Sequence, residues 1–446
     1  MSTNHYAKIV GLKNVRTFPE ADRLKLATCF GNQVVIGLNH QEGELGIYIP
    51  SDTQLSHEFC KKNNLYRDSE LNKDKDAKPG MFDTNRRVRA QTFRKQKSDG
   101  FWVPLELVKF TGVKDKELVE GFEFDTLNGV TICNKYINPA TLKAAQQNQQ
   151  KMTKTAKTSI MFKELPDTEH LFKNLHTLKN SDLLIISLKC HGTSHRVSNV
   201  LVNRKLTLFE KVLKLVGVNI FEKEWVYLNG TRRVVLGERT GTQYHDPSIR
   251  EKAYNLFLNK LYKGETVYLE IVGYENVGKP IMASVDLGKF NDKDIIKKYS
   301  NNGPNSMSYK YGCPDGESNY YIYKITMTNE DGQSIDYSWD DIVKRSNELG
   351  IKHVPFIDKF TVSEFKLKHN IIDDRDFENK FINYITSISD GDDLIDPSHM
   401  REGVCVRVES GFSLKVYKNK GFNFKIAEGL VKDSGIIDIE EMESLK

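Results

Sequence analysis

The amino-acid sequence predicts an α+β protein with two domains and largely antiparallel sheets. The first third of the chain is rich in short β-type runs, and a polar segment interrupts the chain near residue 150. In the second half, strands and helices are interspersed without a strict βαβ repeat, which favours α+β over a doubly wound sheet. The 446 residues also exceed what one ordinary hydrophobic core requires.

The first domain is expected at residues 1–138. Short runs at Lys8–Leu12, Gln33–Leu38 and Gly46–Ile49 carry β-branched residues between Gly, Pro, Asn and Asp. Regularly spaced short strands of this kind predict a small barrel or sandwich.

A linker is expected at residues 139–159, followed by a second domain at residues 160–446. Ala140–Ser159 is rich in Gln, Lys and Thr and poor in large apolar residues, which is typical of a linker with some helix.

Elements of the second domain follow from apolar periodicity and capping signals. Pro247–Leu261 has apolar residues at helical spacing, and Ser338 with Asp341 predicts a capped helix that ends at Gly350. Five runs are predicted strands: Leu183–Lys189, Val267–Val272, Tyr320–Met327, Val404–Val408 and Phe412–Tyr417.

Four segments carry residue types suited to chemistry. Lys189 ends an apolar strand just before Gly192, so burial could lower its pKa and free the amine for attack. Glu270 lies inside an apolar strand, and Glu402 begins another. Lys415–Lys425 mixes lysines with aromatic residues, which suits phosphate and base contacts. Taken singly, each segment is equally compatible with an ordinary strand end, a solvated strand face, a hairpin start or a lysine-protected edge.

Taken in order, the segments resemble the motif series of the covalent nucleotidyltransferases, which comprise DNA ligases, RNA ligases and mRNA capping enzymes. The resemblance covers five short motifs in about 230 residues: Lys189–Gly192, Leu269–Gly273, Tyr321–Ile325, Glu402–Val406 and Lys418–Lys420.

Further details are similar to RNA ligases. Ser338–Pro355 looks like a helix and turn that several of them place before the Glu-Gly strand. Phe18–Leu24 and Cys133–Tyr136 are similar to the N-terminal OB domain of one family that seals nicks with 3′-hydroxyl ends. The resemblance therefore implies an OB-like β-barrel followed by a nucleotidyltransferase (ATP-grasp-like ligase) domain with antiparallel sheets and flanking helices.

The resemblance assigns the site residues one by one. Lys189 is the nucleophile that forms lysyl-AMP, and Gly192 belongs to the nucleotide site. The other expected nucleotide contacts are Arg196 to the nucleotide or 5′-phosphate, Glu270 to the ribose or a metal-bound water, Tyr323 stacked on adenine, Glu402 at a divalent cation, and Lys418 and Lys420 on the phosphates. Glu270 and Glu402 are the expected metal residues.

Two positions qualify the resemblance. His191 stands where the commonest motif has Asp, and a neutral imidazole cannot supply the same charge, so His191 is not an expected metal ligand. The lysine-rich strand permits two registers, Lys415/Lys418 or Lys418/Lys420. The second is preferred because Gly421–Lys425 then matches the family's aromatic continuation.

The implied activity is ATP-dependent RNA ligation with Mg²⁺ or Mn²⁺. The expected partner is a nicked duplex with an RNA 3′-OH strand, and an RNA/DNA hybrid is left open. A capping guanylyltransferase, a DNA ligase and a non-catalytic OB-fold RNA-binding protein are the alternatives. Only about 26 residues follow Lys420, too few for a C-terminal OB domain.

Composition adds the remaining expectations. The formal charge of +5 permits nucleic-acid binding without demanding it. Six scattered cysteines without a CxxC pair suggest neither zinc nor a disulfide framework. There is no apolar run of membrane-spanning length and no signal-like N-terminus, so a cytoplasmic monomer without a membrane segment is expected.

Overall fold

A computed structural model describes residues 5–149, 159–237, 247–411 and 413–445. The N-terminal region (residues 5–138) contains one α-helix, α1 (His57–Lys62), among the residues described. Its strands are short: β1 (Ala7–Gly11), β2 (Lys13–Thr17), β3 (Leu24–Cys29), β4 (Asn32–Gly37), β5 (Leu45–Ile49), β6 (Thr53–Leu55), β7 (Ala90–Phe93), β8 (Gln96–Asp99), β9 (Phe101–Pro104), β10 (Glu123–Phe124), β11 (Thr126–Leu127), β12 (Val130–Thr131) and β13 (Cys133–Lys135).

These strands pair antiparallel in several small sheets. The largest has the order β10-β1-β5-β9, a second has the order β2-β3-β4, and the remaining strands form two-stranded sheets. Ile9, Ile47, Phe59 and Val103 are buried in the core that β1, β5 and β9 share with α1. The pairings among residues 5–138 do not join the strands into one closed barrel, so the OB-type barrel stays a prediction.

Helix α2 (Pro139–Gln149) occupies the first half of the predicted linker, and residues 150–158 lie outside the described residues. Ala144 and Ala145 of this helix are buried against Met442 near the C-terminal end of the chain. In the part of this helix whose side chains are described, the buried residues are all small: Thr141, Ala144 and Ala145.

The C-terminal region (residues 159–445) holds the larger elements. Its strands are β14 (Glu169–His170), β15 (Leu183–Lys189), β16 (Thr193–Asn203), β17 (Lys223–Gly230), β18 (Val235–Gly237), β19 (Glu265–Asn276), β20 (Lys279–Pro280), β21 (Val285–Asp286), β22 (Ser306–Met307), β23 (Ser318–Thr328), β24 (Ser334–Asp336), β25 (Phe356–Thr361), β26 (Gly403–Ser410) and β27 (Ser413–Lys420). Its helices are α3 (Leu208–Leu215), α4 (Pro247–Phe257), α5 (Lys293–Tyr299), α6 (Trp339–Leu349), α7 (Val362–Lys368), α8 (Asp374–Ser389), α9 (Phe422–Asp433) and α10 (Ile439–Ser444).

Two sheets organise this region. One has the order β14-β27-β26-β15-β25, and the other has the order β18-β17-β16-β19-β23-β24, with β20 paired to β19. Apart from the parallel pair β14–β27, the neighbouring strands are antiparallel. Because β15 belongs to the first sheet and β16 to the second, the chain crosses between the sheets at residues 190–192.

Several predicted elements are confirmed. Strand β15 matches the apolar run Leu183–Lys189 residue for residue. Helix α6 begins after Ser338, whose hydroxyl accepts a hydrogen bond from the Asp341 N–H, and it ends at Gly350 in the left-handed region. The mixed α and β composition with largely antiparallel sheets is confirmed as well.

Two details differ from the prediction. The predicted helix at Pro247–Leu261 ends at Phe257. The aromatic residues after Lys420 do not continue strand β27: they begin helix α9, whose Phe422 and Phe424 face the core. Apolar residues two apart fit a strand as well as the first turn of a helix, and packing decides between them.

The six cysteines are free thiols. Within the described ranges, no helix is both long and apolar enough to cross a bilayer.

Candidate active site

Lys189 lies where β15 leaves the first sheet. Residues 184–188 are buried, whereas the Lys189 side chain is 25% exposed. Its Nζ lies 2.7 Å from Glu402 Oε1. Burial alone would lower the pKa of Lys189, but Glu402 and the other acidic groups around it together raise the pKa above its ordinary value. Lys189 is therefore an ammonium ion while Glu402 remains its partner.

Glu402 is held at this position by the backbone of β26. Gly403 faces Lys189 across the β15–β26 pair and has a φ of 153°, in the region that favours glycine. A Cβ at this position would overlap the Asn419 carbonyl oxygen of the next strand. Gly403 therefore permits the close approach of β27 that brings its lysines near Glu402.

One carboxylate oxygen of Glu402 is available to bind a ligand. The residue is 3% exposed, and its Oε2 has no hydrogen-bond partner among the described residues; His191 Nδ1 lies 3.7 Å away. A buried carboxylate oxygen without a partner is costly unless a cation or water meets it. Mg²⁺ is commonly held by one or two carboxylates, with water and phosphate oxygens completing its shell.

The carboxylates at this site fit such a cation. Within the described residues, no three His, Cys, Asp or Glu side chains converge as a ready-made metal site. Glu402 offers its Oε2, and Glu270 is close enough to influence the pKa of Lys189. Two carboxylates without a full cage suit Mg²⁺ or Mn²⁺ carried in with phosphates better than a structural metal.

The turn after Lys189 is fixed by Tyr311 and by Glu270 of the second sheet. The His191 N–H donates to the Tyr311 hydroxyl, and the Gly192 N–H donates to Glu270 Oε1 at 3.1 Å. A Cβ on residue 192 would overlap the Ile271 carbonyl oxygen, so the turn can approach β19 only with glycine there. Glu270 is thereby tied to the backbone that follows the candidate nucleophile.

His191 lies in an aromatic enclosure. Its ring centroid is 4.6 Å from that of Tyr309 and 4.8 Å from that of Phe424, both in edge-to-face arrangements. Burial lowers the pKa of His191 to about 4, against a smaller opposing effect of Glu402. The imidazole is therefore neutral at pH 7 and packs as an aromatic wall of the site.

A polar strip on the second sheet adjoins the turn. Ser194 of β16 faces Glu270 of β19 in the strand register. The Ser194 hydroxyl and the Tyr323 hydroxyl share a hydrogen bond of 2.8 Å. Tyr323 lies where the β19–β23 register is irregular.

Arg196 lies two residues further along β16 and is 1% exposed. Its guanidinium stacks 4.2 Å from the Phe162 ring centroid and donates through Nη1 to the Lys163 carbonyl. Its Nε and Nη2 have no partner among the described residues. Burial lowers the pKa of Arg196, as expected for a cation that is held without a carboxylate. Such a group suits an anionic ligand.

Lys418 and Lys420 occupy alternate positions of β27 and therefore project from the same face of that strand. Lys415 has the opposite parity and is exposed. Burial, followed by the charges of Lys420 and Lys189, lowers the pKa of Lys418 to about 7. Lys420 Nζ lies 2.8 Å from both carboxylate oxygens of Glu428 and 3.8 Å from Glu402 Oε1.

A cavity of about 220 Å³ opens beside these two lysines. Arg232 and Arg233 also line it, and both are paired with Asp167. The predicted lysine pair thus faces a space lined by charged residues of both signs, among which lysines and arginines are the more numerous.

No protein-family profile matches the sequence, and no curated protein is recognisably similar to it. Solved structures of an RNA ligase from Naegleria gruberi do match. An apo variant is 15% identical with a TM-score of 0.55, covering 95% of this chain and 98% of that one. A variant with ATP and manganese is 16% identical with a TM-score of 0.54, covering 94% and 98%. A variant with AMP and manganese is 15% identical with a TM-score of 0.54, covering 94% and 97%. This chain has the fold of those RNA ligases.

The described contacts bring most of the predicted site residues together. Contacts and charge interactions connect Lys189, Glu270, Glu402, Lys418 and Lys420. The nucleotide residues expected on the second sheet, Arg196 and Tyr323, lie on one strip of it, close enough for Tyr323 to influence the pKa of Arg196.

Other residues at the site were missed by the sequence analysis. Arg250 of α4 is 1% exposed and donates to the Thr193 hydroxyl at 3.0 Å and to the Ser194 carbonyl at 3.2 Å, beneath the start of β16. Glu428 and Tyr311 were missed too. No local pattern marks these three, because each reaches the site from a distant element.

Proposed function

We propose that this protein is an ATP-dependent RNA ligase that joins a 3′-hydroxyl to a 5′-phosphate at nicks or breaks. The observation that carries the proposal is Lys189: a largely buried lysine at a strand end, in contact with Glu402 and beside Glu270 and Lys418, in the fold of RNA ligases. The similar Naegleria gruberi RNA ligase has been solved with ATP, with AMP and with pyrophosphate, which are the ligands that such a reaction uses and releases.

The first step forms lysyl-AMP. The Lys189 amine attacks the α-phosphorus of ATP, the bond to the bridging oxygen breaks, and pyrophosphate leaves while the attacking nitrogen loses a proton. Lys189 must first give up its proton, and its contact with Glu402 opposes that. A divalent cation at these carboxylates would supply positive charge that stabilises the transferring phosphates. When Glu402 is engaged elsewhere, burial lowers the pKa of Lys189.

The remaining residues bind and orient the nucleotide in this proposal. Lys418 and Lys420 bind the phosphates, and Arg196 offers its unpaired nitrogens to the nucleotide or to the RNA 5′-phosphate. Tyr323 supplies an aromatic surface for adenine, and Gly192 allows the close approach of the turn. Positioned cations of this kind stabilise charge that develops on the leaving group.

Two further steps complete the reaction. An oxygen of the RNA 5′-phosphate attacks the phosphorus of lysyl-AMP, which breaks the N–P bond and regenerates the lysine. The 3′-hydroxyl then attacks the activated 5′-phosphate, AMP leaves, and a phosphodiester bond forms.

We propose that residues 1–138 form an OB-like domain that grips the nicked RNA duplex, and that residues 160–446 form the adenylyltransferase domain. A cleft of about 960 Å³ between the N-terminal region and α8 supports this division. Its walls include Arg16 and Lys95 with the aromatic ring of Phe30. Cations beside an aromatic surface suit a nucleic-acid backbone and its bases.

The decisive experiment is covalent labelling. The protein is incubated with ATP labelled at the α-phosphate and Mg²⁺ or Mn²⁺, and denaturing electrophoresis shows whether label stays on the chain. We expect labelling of the natural protein and none of Lys189→Ala, whereas Lys415→Ala, at an exposed position of β27, keeps its label. Labelling of Lys189→Ala would refute the assignment of the nucleophile.

Two further arms separate related activities. GTP labelled at the α-phosphate tests a guanylyltransferase, and we expect ATP to be the donor. Nicked duplexes whose strands are RNA or DNA in all combinations then test the acceptor. We expect sealing to require RNA on the 3′-hydroxyl side, and preferential sealing of all-DNA nicks would contradict the proposal.

A further inference from the structure

A series of alternating charges runs from Lys189 to the N-terminal region. Its members are joined pairwise by contacts between 2.7 and 3.8 Å. In order, the contacts are Lys189–Glu402 at 2.7 Å, Glu402–Lys420 at 3.8 Å, Lys420–Glu428 at 2.8 Å, Glu428–Lys432 at 3.5 Å and Lys432–Asp52 at 2.8 Å.

Glu428 is shared unequally between two lysines. The ammonium group of Lys420 contacts both carboxylate oxygens at 2.8 Å, whereas Lys432 approaches only Oε1, at 3.5 Å. The Glu428 side chain is 19% exposed, so either lysine interacts with it through a medium less polar than water. The position of Lys420 therefore depends on which of the two lysines interacts more strongly with Glu428.

Asp52 of the N-terminal region favours the Lys420–Glu428 pair, because it binds the competing Lys432. Its Oδ2 accepts from Lys432 Nζ at 2.8 Å, and its Oδ1 is held by Arg87. Arg87 is in turn anchored by Asp433, one residue after Lys432 in the chain, at 3.0 Å. Asp52 is thus fixed in place and draws Lys432 away from Glu428, which leaves Glu428 to Lys420.

We propose that Asp52 and Glu428 are positioning residues that hold Lys420 at the phosphate site. This inference rests on the proposed function and deepens it, because it names two side chains that position Lys420. Both residues line the cavity beside Lys420, and they act by keeping Lys420 near Glu402, where it can receive the leaving pyrophosphate.

The test measures single-turnover adenylylation at varied ATP concentration in Asp52→Asn and Glu428→Gln. In each variant we expect the apparent ATP constant to rise and the maximal rate to fall, with a combined effect of roughly 3- to 30-fold, as for mutations along coupled networks. Asp99→Asn is the matched control, since it removes another ion pair between the N-terminal region and α9, the one with Lys425. Asp99→Asn should leave both parameters near their natural values.

A double variant separates competition from loss of domain docking. In Asp52→Asn, Lys432 is left to compete for Glu428, so adding Lys432→Gln should restore much of the rate. If the double variant is as slow as Asp52→Asn alone, or if Asp52→Asn is as fast as the natural protein, the proposal is overturned. Thermal melting of all four variants shows which of them are folded. Failure of the natural protein to become labelled would refute the ligase function itself, a distinct outcome.

A second, independent observation concerns the connection between β16 and β17. Helix α3 and the residues after it expose large apolar side chains in numbers found nowhere else in the described chain. The exposed fractions are Leu208 81%, Phe209 70%, Val212 56%, Leu215 86%, Val216 72%, Val218 44% and Phe221 88%. The spacing of the helical members puts them along one face of α3.

Several charged residues of this segment have partners within it. Arg204 binds Glu210, which also completes a capping box with Thr207, and Lys214 pairs with Glu222. The exposed face formed by Leu208, Phe209, Val212 and Leu215 is apolar, with Lys211 beside it. At these exposures the seven side chains leave on the order of 900 Å² of surface, close to the roughly 800 Å² that one partner buries in a standard interface. Monomeric proteins rarely expose an apolar patch of that size.

We infer that this apolar surface, Leu208–Phe221, pairs with the same surface of a second copy of the chain. An apolar patch is complementary to itself, which is what a two-fold interface requires. The inference departs from the monomer expected from the sequence.

Sedimentation equilibrium over a range of protein concentrations tests it. We expect a dimer that becomes a monomer in Leu215→Glu and Phe221→Glu, while adenylylation of Lys189 is unchanged. Ile372→Glu is the matched control, because Ile372 is 98% exposed but lies outside this surface, and it should leave the dimer intact. A natural protein that stays monomeric at every concentration, or a dimer that survives both substitutions, overturns the inference.

Discussion

Lys418 offers a measurement that links the site's electrostatics directly to nucleotide binding. Its pKa is lowered to about 7, first by burial and then by the positive charges of Lys420 and Lys189. At pH 8 a group with that pKa is about nine-tenths neutral, whereas at pH 6 it is about nine-tenths protonated. Triphosphate bound next to Lys418 favours the charged form, so binding raises its pKa again.

Nucleotide binding should therefore take up protons in a pH-dependent way. We expect Lys418 to contribute about 0.9 proton at pH 8 and about 0.1 at pH 6. Isothermal titration calorimetry in buffers of different ionisation enthalpy measures this uptake. An ATP analogue whose α–β bridge cannot be cleaved keeps adenylylation from contributing. Lys418→Met should lose the uptake at pH 8, whereas Lys415→Met, at an exposed site on the same strand, should keep it.

One result would refute this reasoning. If Lys418→Met takes up as many protons at pH 8 as the natural protein, Lys418 is either charged before binding or remote from the phosphates.

The other predictions concern the phosphate site and stability. Single-turnover adenylylation should be slowed roughly a hundredfold in Lys420→Ala but only mildly in Lys415→Ala, and the reverse ranking would favour the other lysine register. Because the folded pKa of Lys418 lies below its unfolded value of 10.5, the unfolded state binds more protons between about pH 7 and 10.5. The ligand-free protein should therefore gain stability with rising pH in that window, and Lys418→Met should show less gain in urea unfolding. Gly403→Ala should lower the melting temperature because its Cβ would overlap a backbone carbonyl of β27. Arg345→Met should cost about 3–5 kcal/mol of unfolding free energy, since it leaves Glu265, 0% exposed, without its guanidinium partner.

Elements with strong local signals could be predicted from the sequence. Strand β15 is a continuous apolar run that is buried on both faces, so its bounds follow from composition. Helix α6 is bounded by a serine cap and a left-handed glycine, both readable from residue type. Helix α9 was not predicted, because Phe422 and Phe424 read as strand residues until packing against the core is known.

The parts of the site that depend on long-range contacts could not be predicted. Tyr311 reaches the His191 N–H across 120 residues, and Asp52 reaches Lys432 across 380. Neither contact can be recognised from the spacing of residues along the sequence. Glu428 lies on a face of α9 that has no counterpart in the motif series, so its contact with Lys420 appears only in the folded chain.

The order of the short motifs is informative because of how the two sheets meet. Lys189 ends a strand of the first sheet, and the following turn starts a strand of the second, so the candidate nucleophile stands at their junction. The first sheet brings Glu402 and the β27 lysines to this junction, and the second brings Glu270 to the same turn. Each motif is weak alone because a strand with one polar or charged residue is common. In order, the five motifs lie at the end of β15, within β19 and β23, at the start of β26 and at the end of β27, and the two sheets bring them to one junction. The sequence therefore carries the site mainly in the succession of its strands, and Asp52, which contacts Lys432 from the N-terminal region, lies outside that succession.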